Sequence, residues 1–207
     1  MKRRMSISLA AIGVFGLALC ASTLRAGSDE ATDKVAIDAP VAAFTLPNHD
    51  DKQTTVGDWG VDDTKATVVF FVATKCPVSN AYNSRMADLA KSYTERGVRF
   101  FGINSNKAEM APEVAEHAQK HGLTFPILKD TGNVIADRFA ARVTPEAYVI
   151  DAKGVLVYHG RIDDSQDQAG ITTRDLQAAL NDILDGKPVA VNKTAAFGCT
   201  IKRVAKS

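Results

Sequence analysis

Between positions 66 and 104 of this chain, the spacing of apolar residues changes twice. Residues 66–72 form an unbroken run rich in β-branched and aromatic side chains, which predicts a buried strand. After Cys76, apolar residues instead recur every three or four positions between charged ones, which predicts a helix that ends near Gly97. Residues 98–104 form the next apolar run. A strand, a helix and a strand in this order predict a βαβ unit whose two strands are parallel.

Similar patterns predict further elements on both sides of this unit. They are a hairpin of strands 44–46 and 53–56, a helix from 111 to about 122, a strand at 124–128, a helical turn at 133–139, a hairpin of strands 146–150 and 155–159, and a helix from 172 or 173 to 186. We expect strand 124–128 at a sheet edge, because Pro126 has no N–H to donate to a neighbour. Together these elements predict one α/β domain over residues 39–186.

The two ends of the chain differ from this domain. Basic residues 2–4 followed by the apolar run 7–21 predict a secretory signal peptide over residues 1–26. The run is too short to favour a membrane span, so we expect no stable span after cleavage. Bulky Leu19 favours ordinary cleavage over a lipidated Cys20, and an uncleaved anchor is a further alternative. Residues 27–38 are interpreted as a flexible leader, and residues 187–207 as a tail that carries Cys199.

Charge and cysteine content narrow the possible functions. With 25 basic and 24 acidic residues, the net charge of +1 gives no electrostatic basis for binding nucleic acid. We expect an exported protein, periplasmic or extracellular, that uses no cofactor. Cleavage of the signal would remove Cys20 and leave Cys76 and Cys199, which permit one disulfide in an oxidising compartment.

Cys76 is the candidate reactive group, because it lies where the buried strand ends and the helix begins. Pro77 suits the first helical position, where a missing N–H costs no hydrogen bond. The free N–H groups of a helix N-terminus stabilise a thiolate, and Lys75 adds a positive charge beside it. A small buried apolar residue is the alternative interpretation of Cys76. The junction and Lys75 favour a nucleophile.

The order of elements and the sequence Val143-Thr144-Pro145-Glu146 resemble the thioredoxin family. The resemblance implies an α/β thioredoxin-like fold, with a central mixed β-sheet flanked by helices and an N-terminal β-hairpin extension. It also implies that Thr144 and Pro145 are site residues joined by a cis peptide bond that faces Cys76. In that family the backbone beside this proline pairs with the substrate chain. A proline that merely starts a strand is the alternative.

More narrowly, the chain resembles exported, peroxiredoxin-like redoxins of the alkyl hydroperoxide reductase and thiol-specific antioxidant superfamily. The resemblance rests on residues 39–40 with 44–47, on 158–164 and on 198–202. The chain departs from thioredoxins at Ser79, which replaces the second cysteine of Cys-x-x-Cys and excludes a disulfide within the motif. Ala73 and Val69 replace the threonine and proline of true peroxiredoxins, so peroxidase activity is a weaker inference.

Other polar residues offer weaker candidates. Asn80 replaces the second cysteine of thioredoxin-like copper carriers, which argues against that comparison. His117 and His121 are four positions apart on a predicted helix and could bind zinc weakly, although a solvated helical face is favoured. Arg161, with Asp163 and Asp164, could assist the thiolate or bind an acidic partner, or form an ordinary surface ion cluster.

The leading hypothesis is an exported thiol–disulfide oxidoreductase that uses Cys76 as its nucleophile and Cys199 as a resolving thiol. Its partners would be a protein or small-molecule disulfide and a reductant that the sequence does not identify. Two alternatives stay open. The chain could be a non-catalytic redoxin that captures a partner or a metal, or Cys76 and Cys199 could form a purely structural disulfide.

Overall fold

The computed structural model describes residues 34–48 and 51–205. The predicted signal peptide lies outside this range, as does the leader up to residue 33. The rest of the leader contacts the body of the protein. The Val35 N–H donates to the carbonyl oxygen of Arg138 at 2.8 Å, and the Asp38 N–H donates to that of Leu156 at 2.9 Å.

The described chain contains nine strands and five α-helices. The strands are β1 (Phe44–Pro47), β2 (Gln53–Val56), β3 (Ala66–Phe71), β4 (Val98–Asn104), β5 (Ile127–Lys129), β6 (Val143–Thr144), β7 (Glu146–Asp151), β8 (Leu156–Gly160) and β9 (Cys199–Thr200). The helices are α1 (Pro77–Ala81), α2 (Asn83–Tyr93), α3 (Ala111–Lys120), α4 (Val134–Arg138) and α5 (Asp175–Leu184). None of these described helices has the length and apolar character that crossing a bilayer requires.

Five strands form the central sheet, in the order β5-β4-β3-β7-β8. Strand β3 pairs in parallel with β4 and antiparallel with β7, so the predicted βαβ unit and the mixed sheet are confirmed. Strands β1 and β2 form the predicted N-terminal hairpin. Strand β5 lies at the sheet edge, as predicted, but begins only at Ile127, after Pro126.

Strand β3 is buried along its whole length because hydrophobic residues cover both faces of the sheet. On one face, Val68 and Phe70 pack in a cluster with Met86 and Leu176. On the other face, Val69 and Phe71 belong to a second cluster. This two-sided burial explains the unbroken apolar run in the sequence. It also fixes the position of the loop that leads from β3 to Cys76.

Two helices differ from the sequence prediction. The helix after Cys76 is interrupted at Tyr82, which ends α1 and precedes α2. Tyr82 is buried, and its hydroxyl lies 2.9 Å from both the Asp163 carboxylate and the Ser165 carbonyl oxygen, so a distant loop holds the junction. Helix α5 begins only at Asp175, later than the predicted start at Thr172 or Thr173, and the Thr172 N–H is bound to the Asp164 carboxylate.

Candidate functional site

Cys76 caps the N-terminus of α1, with Pro77 in the first turn. The Ser79 N–H points at the Cys76 sulfur, at an N–S distance of 3.2 Å. The hydroxyl of Ser79 is directed elsewhere, since it accepts the Ala73 N–H at 3.2 Å. A helix N-terminus thus contacts the sulfur as the sequence predicted, through a backbone donor rather than through the serine side chain.

The Thr144–Pro145 peptide bond is cis, which confirms that prediction. The carbonyl oxygen of Thr144 lies 3.3 Å from the Cys76 sulfur. Cys76 comes after the central strand β3, and Pro145 comes just before the central strand β7. Adjacent antiparallel strands β3 and β7 therefore bring the two predicted site segments to the same end of the sheet.

Cys199 completes the site, because it forms a disulfide with Cys76. The two Cα atoms are 5.9 Å apart, although the residues are separated by 123 positions in sequence. Cys199 lies in β9, which pairs antiparallel with β6 so that Cys199 is opposite Thr144. Cys76 is buried, at 4% exposure, whereas Cys199 is partly exposed.

The tail around Cys199 is held to the body on its carboxyl side. The Ile201 N–H donates to the Arg142 carbonyl oxygen at 3.0 Å, and the Lys202 N–H donates to the Asn106 side-chain oxygen at 2.7 Å. The side chain of Ile201 is buried at 3% exposure. The tail therefore docks beside the cis proline, a position that its sequence of small and basic residues did not indicate.

Glu109 is a site residue that sequence reasoning missed. Its buried carboxylate accepts the N–H groups of Thr74 at 2.8 Å and Lys75 at 3.1 Å, which are the two residues just before Cys76. It also accepts the side-chain amides of Asn104 and Asn106. Because Asn106 in turn holds the tail, Glu109 connects the loops that carry the two cysteines. It belongs to no recognisable motif, so the sequence offered no signal for it.

A buried lysine shares this network. The Lys129 ammonium donates to the Asn104 side-chain oxygen and to the Asn106 carbonyl oxygen, both at 2.7 Å. Burial lowers the pKa of Lys129, and the negative charge of Glu109 opposes that shift. The negative charge of Glu109 and the positive charge of Lys129 thus compensate each other beneath the site. Removing either residue leaves the other as a poorly solvated charge.

We expect Glu109→Ala to lower the free energy of unfolding by about 3 kcal/mol, because four N–H donors lose their acceptor and the buried Lys129 ammonium loses the negative charge that compensates it. Urea unfolding at neutral pH measures this. The matched control is Glu113→Ala, since Glu113 also contacts the side chains of Lys75 and Thr74 but is itself partly exposed. We expect the control to cost less than about 1 kcal/mol. Equal losses in the two variants would contradict a supporting role for Glu109.

Glu146 supports the other half of the site. It is buried directly after Pro145, and its carboxylate accepts the N–H groups of Arg142 and Val143. The His159 ring nitrogen lies 2.6 Å from its other oxygen. Burial raises the pKa of Glu146, but these hydrogen bonds outweigh it and hold the pKa below its ordinary value. The ionised carboxylate therefore fixes β6 beside the cysteines.

The lowered pKa of Glu146 predicts acid sensitivity. A carboxyl group whose pKa is lower in the folded state stabilises the fold above its unfolded pKa, and this contribution disappears as pH falls through the folded value. We expect the urea concentration at the unfolding midpoint of the wild type to decrease when the pH is lowered past about 4.3, the usual pKa of glutamate. Glu146→Gln should be less stable at neutral pH and lose less stability on acidification. Glu116→Gln, at an exposed position, is the control and should follow the wild type.

The other polar residues that the sequence suggested as site residues make contacts with residues other than the two cysteines. Arg161 forms an ion pair with Asp175 at 2.8 Å, and Asp163 forms a buried pair with Arg85 at the same distance. Both pairs hold the loop before α5, in agreement with the structural alternative for Arg161. A His117 ring nitrogen lies 3.0 Å from the Asn83 side-chain amide. Within residues 34–48 and 51–205, no group of three or more histidine, cysteine or acidic residues could hold a metal ion.

Comparisons with known proteins agree with this geometry. The model of the AhpC/TSA family matches residues 37–159. The thiol-disulfide oxidoreductase ResA of Halalkalibacterium halodurans is 30% identical over 93 residues, which are 45% of this chain and 52% of ResA. The match therefore spans about half the length of that relative.

Solved structures show the same fold. A hypothetical protein from Sinorhizobium meliloti 1021 has a TM-score of 0.76 and 30% identity, over 84% of this chain and 97% of that one. Peroxidoxin BcpB from Mycobacterium tuberculosis has a TM-score of 0.57 and 20% identity, over 73% and 97% of the two chains, and shows the fold alone. With more than half of its length matched by the family model, this chain is a member of the AhpC/TSA redoxin family with a thioredoxin-like α/β fold.

Proposed function

We propose that this protein is a thiol–disulfide oxidoreductase in which Cys76 and Cys199 alternate between a dithiol and a disulfide. One observation carries the proposal: the two cysteines are bonded where a helix N-terminus faces a cis proline. The similarity to ResA, whose name describes this activity, supports it.

The reaction is an exchange of disulfides. In the reduced protein, the Cys76 thiolate attacks one sulfur of a substrate disulfide, which forms a mixed disulfide and releases one substrate thiol. The Cys199 thiolate then attacks the Cys76 sulfur and releases the second substrate thiol. The substrate gains two electrons and two protons, and the protein is left as the Cys76–Cys199 disulfide. An external dithiol reverses the process and restores the reduced protein.

The surroundings of Cys76 suit it as both attacking and leaving group. The Ser79 N–H stabilises negative charge on the sulfur, as expected of a helix N-terminus. Lys75 stabilises the thiolate less than its position in the sequence predicted. Its ammonium is paired with Glu113 at 3.0 Å and donates to the Ala108 carbonyl oxygen, so the carboxylate offsets its charge.

A purely structural disulfide is the second candidate, and two observations favour it. Cys76 is buried, and hydrogen bonds hold the tail just after Cys199. The two proposals differ in how readily the bond is reduced. A structural disulfide has a reduction potential below about −300 mV, whereas catalytic ones are less negative.

Two measurements on the folded protein test the proposed function. Equilibration with dithiol buffers should reduce the disulfide at a potential above about −300 mV. In the reduced protein, the alkylation rate of Cys76 should rise with pH around a midpoint below about 8.5, the value of a free thiol. A bond that resists reduction until the protein unfolds would instead establish the structural role.

We also propose that the protein is exported. The sequence of residues 1–26 supports export to an oxidising compartment, where disulfide substrates form and persist. The proposed partners are a disulfide substrate and a dithiol reductant.

A further inference from the structure

The family resemblance implies that a substrate chain pairs with the backbone beside the cis proline, where residues 197–201, the docked tail segment, lie. We propose that this site selects an extended chain with a glycine before its reactive cysteine and an aliphatic residue two positions after it. The inference rests on the proposed function and adds the class of substrate. It comes from the way the docked tail segment contacts the site.

The docked tail segment binds as an added strand. Strand β9 pairs antiparallel with β6, with Cys199 opposite Thr144 and Thr200 opposite Val143. The Ile201 N–H continues the ladder to the Arg142 carbonyl oxygen. In the described part of the chain, β6 pairs with β9 and with no other strand. Backbone pairing of this kind accepts any extended chain and leaves selection to the side-chain sites along it.

Position 198, just before the cysteine, admits only glycine. A Cβ atom added to Gly198 would lie 2.0 Å from the Thr144 carbonyl oxygen and 2.7 Å from its carbonyl carbon. Those are backbone atoms of the cis Thr144–Pro145 segment, next to the Cys76 sulfur, so they cannot move aside as a flexible side chain could. A chain that presents its cysteine to Cys76 in this register needs the same close approach.

Hydrophobic contacts flank the cysteine on both sides. The Ile201 side chain is buried at 3% exposure, in the cluster that contains Phe139 and Tyr148. Phe197 packs against the other core cluster, with its ring 6.2 Å from that of Tyr82. Thr200, between the cysteine and the isoleucine, is exposed. Selection is therefore strongest at the residue before the cysteine and at the buried second residue after it. Phe197 is only partly buried and selects less, and the exposed first residue after the cysteine is not selected.

Substrate and tail must exclude each other, because both would pair with β6. While Cys76 and Cys199 are bonded, the tail is covalently fixed in place. Once the bond is reduced, the tail is held only by its non-covalent contacts, and a substrate competes with an intramolecular strand whose effective concentration is about millimolar. The Cys76 thiolate then attacks the substrate cysteine that replaces Cys199, and the substrate's former disulfide partner leaves as a thiol.

The test uses full-length Cys199→Ser protein that also carries Cys20→Ser, so that Cys76 is its only thiol, and a peptide of residues 195–202 whose cysteine is activated as a mixed disulfide with thionitrobenzoate. Release of the coloured thiol reports attack by Cys76, and mass spectrometry identifies the mixed disulfide. Two altered peptides carry Gly198→Ala or Ile201→Ser. Each should react about tenfold more slowly than the parent, because one clashes with β6 and the other loses a buried aliphatic side chain.

Competition by the tail gives a second measurement. Adding Gly198→Ala to the Cys199→Ser protein weakens tail docking and should raise the rate with the parent peptide. Gly132→Ala is the matched control, because a Cβ there meets only the Val134 side chain at 3.4 Å, an ordinary contact. It should leave the rate unchanged.

The outcomes separate this inference from the proposed function. If the three peptides react at equal rates while Cys76 attacks a small aromatic disulfide, the substrate inference is wrong and the oxidoreductase proposal stands. If Cys76 attacks neither the peptides nor the small disulfide, the proposed function fails and the inference fails with it. Slower reaction of both altered peptides supports the substrate class.

Discussion

Cys199→Ser is expected to stop turnover after the first chemical step and to leave Cys76 covalently bound to its substrate. Cys199 is the only thiol that the structure places in contact with Cys76 among the described residues, so its loss leaves the mixed disulfide without an internal nucleophile. Cys76→Ser should retain no substrate, because a serine hydroxyl does not exchange with disulfides and the remaining Cys199 lies in a strand, without a helix N-terminus to stabilise its thiolate. Its rate should equal that of uncatalysed exchange.

Non-reducing gels of the two single variants, expressed in the exporting host, show which one retains a substrate. With purified protein, mass spectrometry after a single turnover should find one substrate per chain on Cys199→Ser and none on Cys76→Ser. A double variant, Cys76→Ser with Cys199→Ser, controls for adventitious capture. Wild-type turnover by Cys199→Ser would show that Cys199 does not resolve the intermediate.

Reduction of the disulfide is expected to lower the free energy of unfolding by up to about 5 kcal/mol, since the bond closes a loop of 123 residues in the unfolded chain. For a protein of this size, that corresponds to a decrease in Tm of about 10–20 °C. The reduced protein should nevertheless stay folded at room temperature, because both hydrophobic clusters and the central sheet form without the bond.

Thermal unfolding with and without a dithiol measures this effect. The double cysteine-to-serine variant is the control, and its Tm should not respond to the dithiol. A loss below about 1 kcal/mol in the wild type would indicate that the unfolded chain is already compact around the two cysteines. Stability alone does not separate a catalytic disulfide from a structural one, which is why the reduction potential and the trapping variants decide the function.

Much of the site could be predicted because its signals are local. The apolar run of β3 meets helical spacing at Cys76, and this junction defines a helix N-terminus without reference to the rest of the molecule. The cis bond was predicted from the family resemblance of the sequence around Thr144 and Pro145, and the structure confirms it. The order of elements also predicted the parallel pairing of β3 with β4, because a short crossover helix permits little else.

Other predictions were incomplete because distant contacts overrode the local pattern. Helical spacing continues through Tyr82, yet the helix is interrupted there, where the Tyr82 hydroxyl is bound to Asp163, 81 positions away. Lys75 adjoins Cys76 in sequence, but Glu113 takes up its ammonium group. Neither effect leaves a trace in the spacing of apolar residues.

The sequence by itself determined the α/β domain, the buried strand before Cys76 and the position of that cysteine at a helix N-terminus, because each depends on neighbouring residues and their periodicity. Only the tertiary structure decided how the cysteine is surrounded. Glu109 reaches the loop before Cys76 from 34 and 35 positions away, and Asn106 binds the tail from 96 positions away. Hydrogen bonds over such separations require no particular spacing along the chain, so folding alone brings Cys199 and its strand to the cis proline.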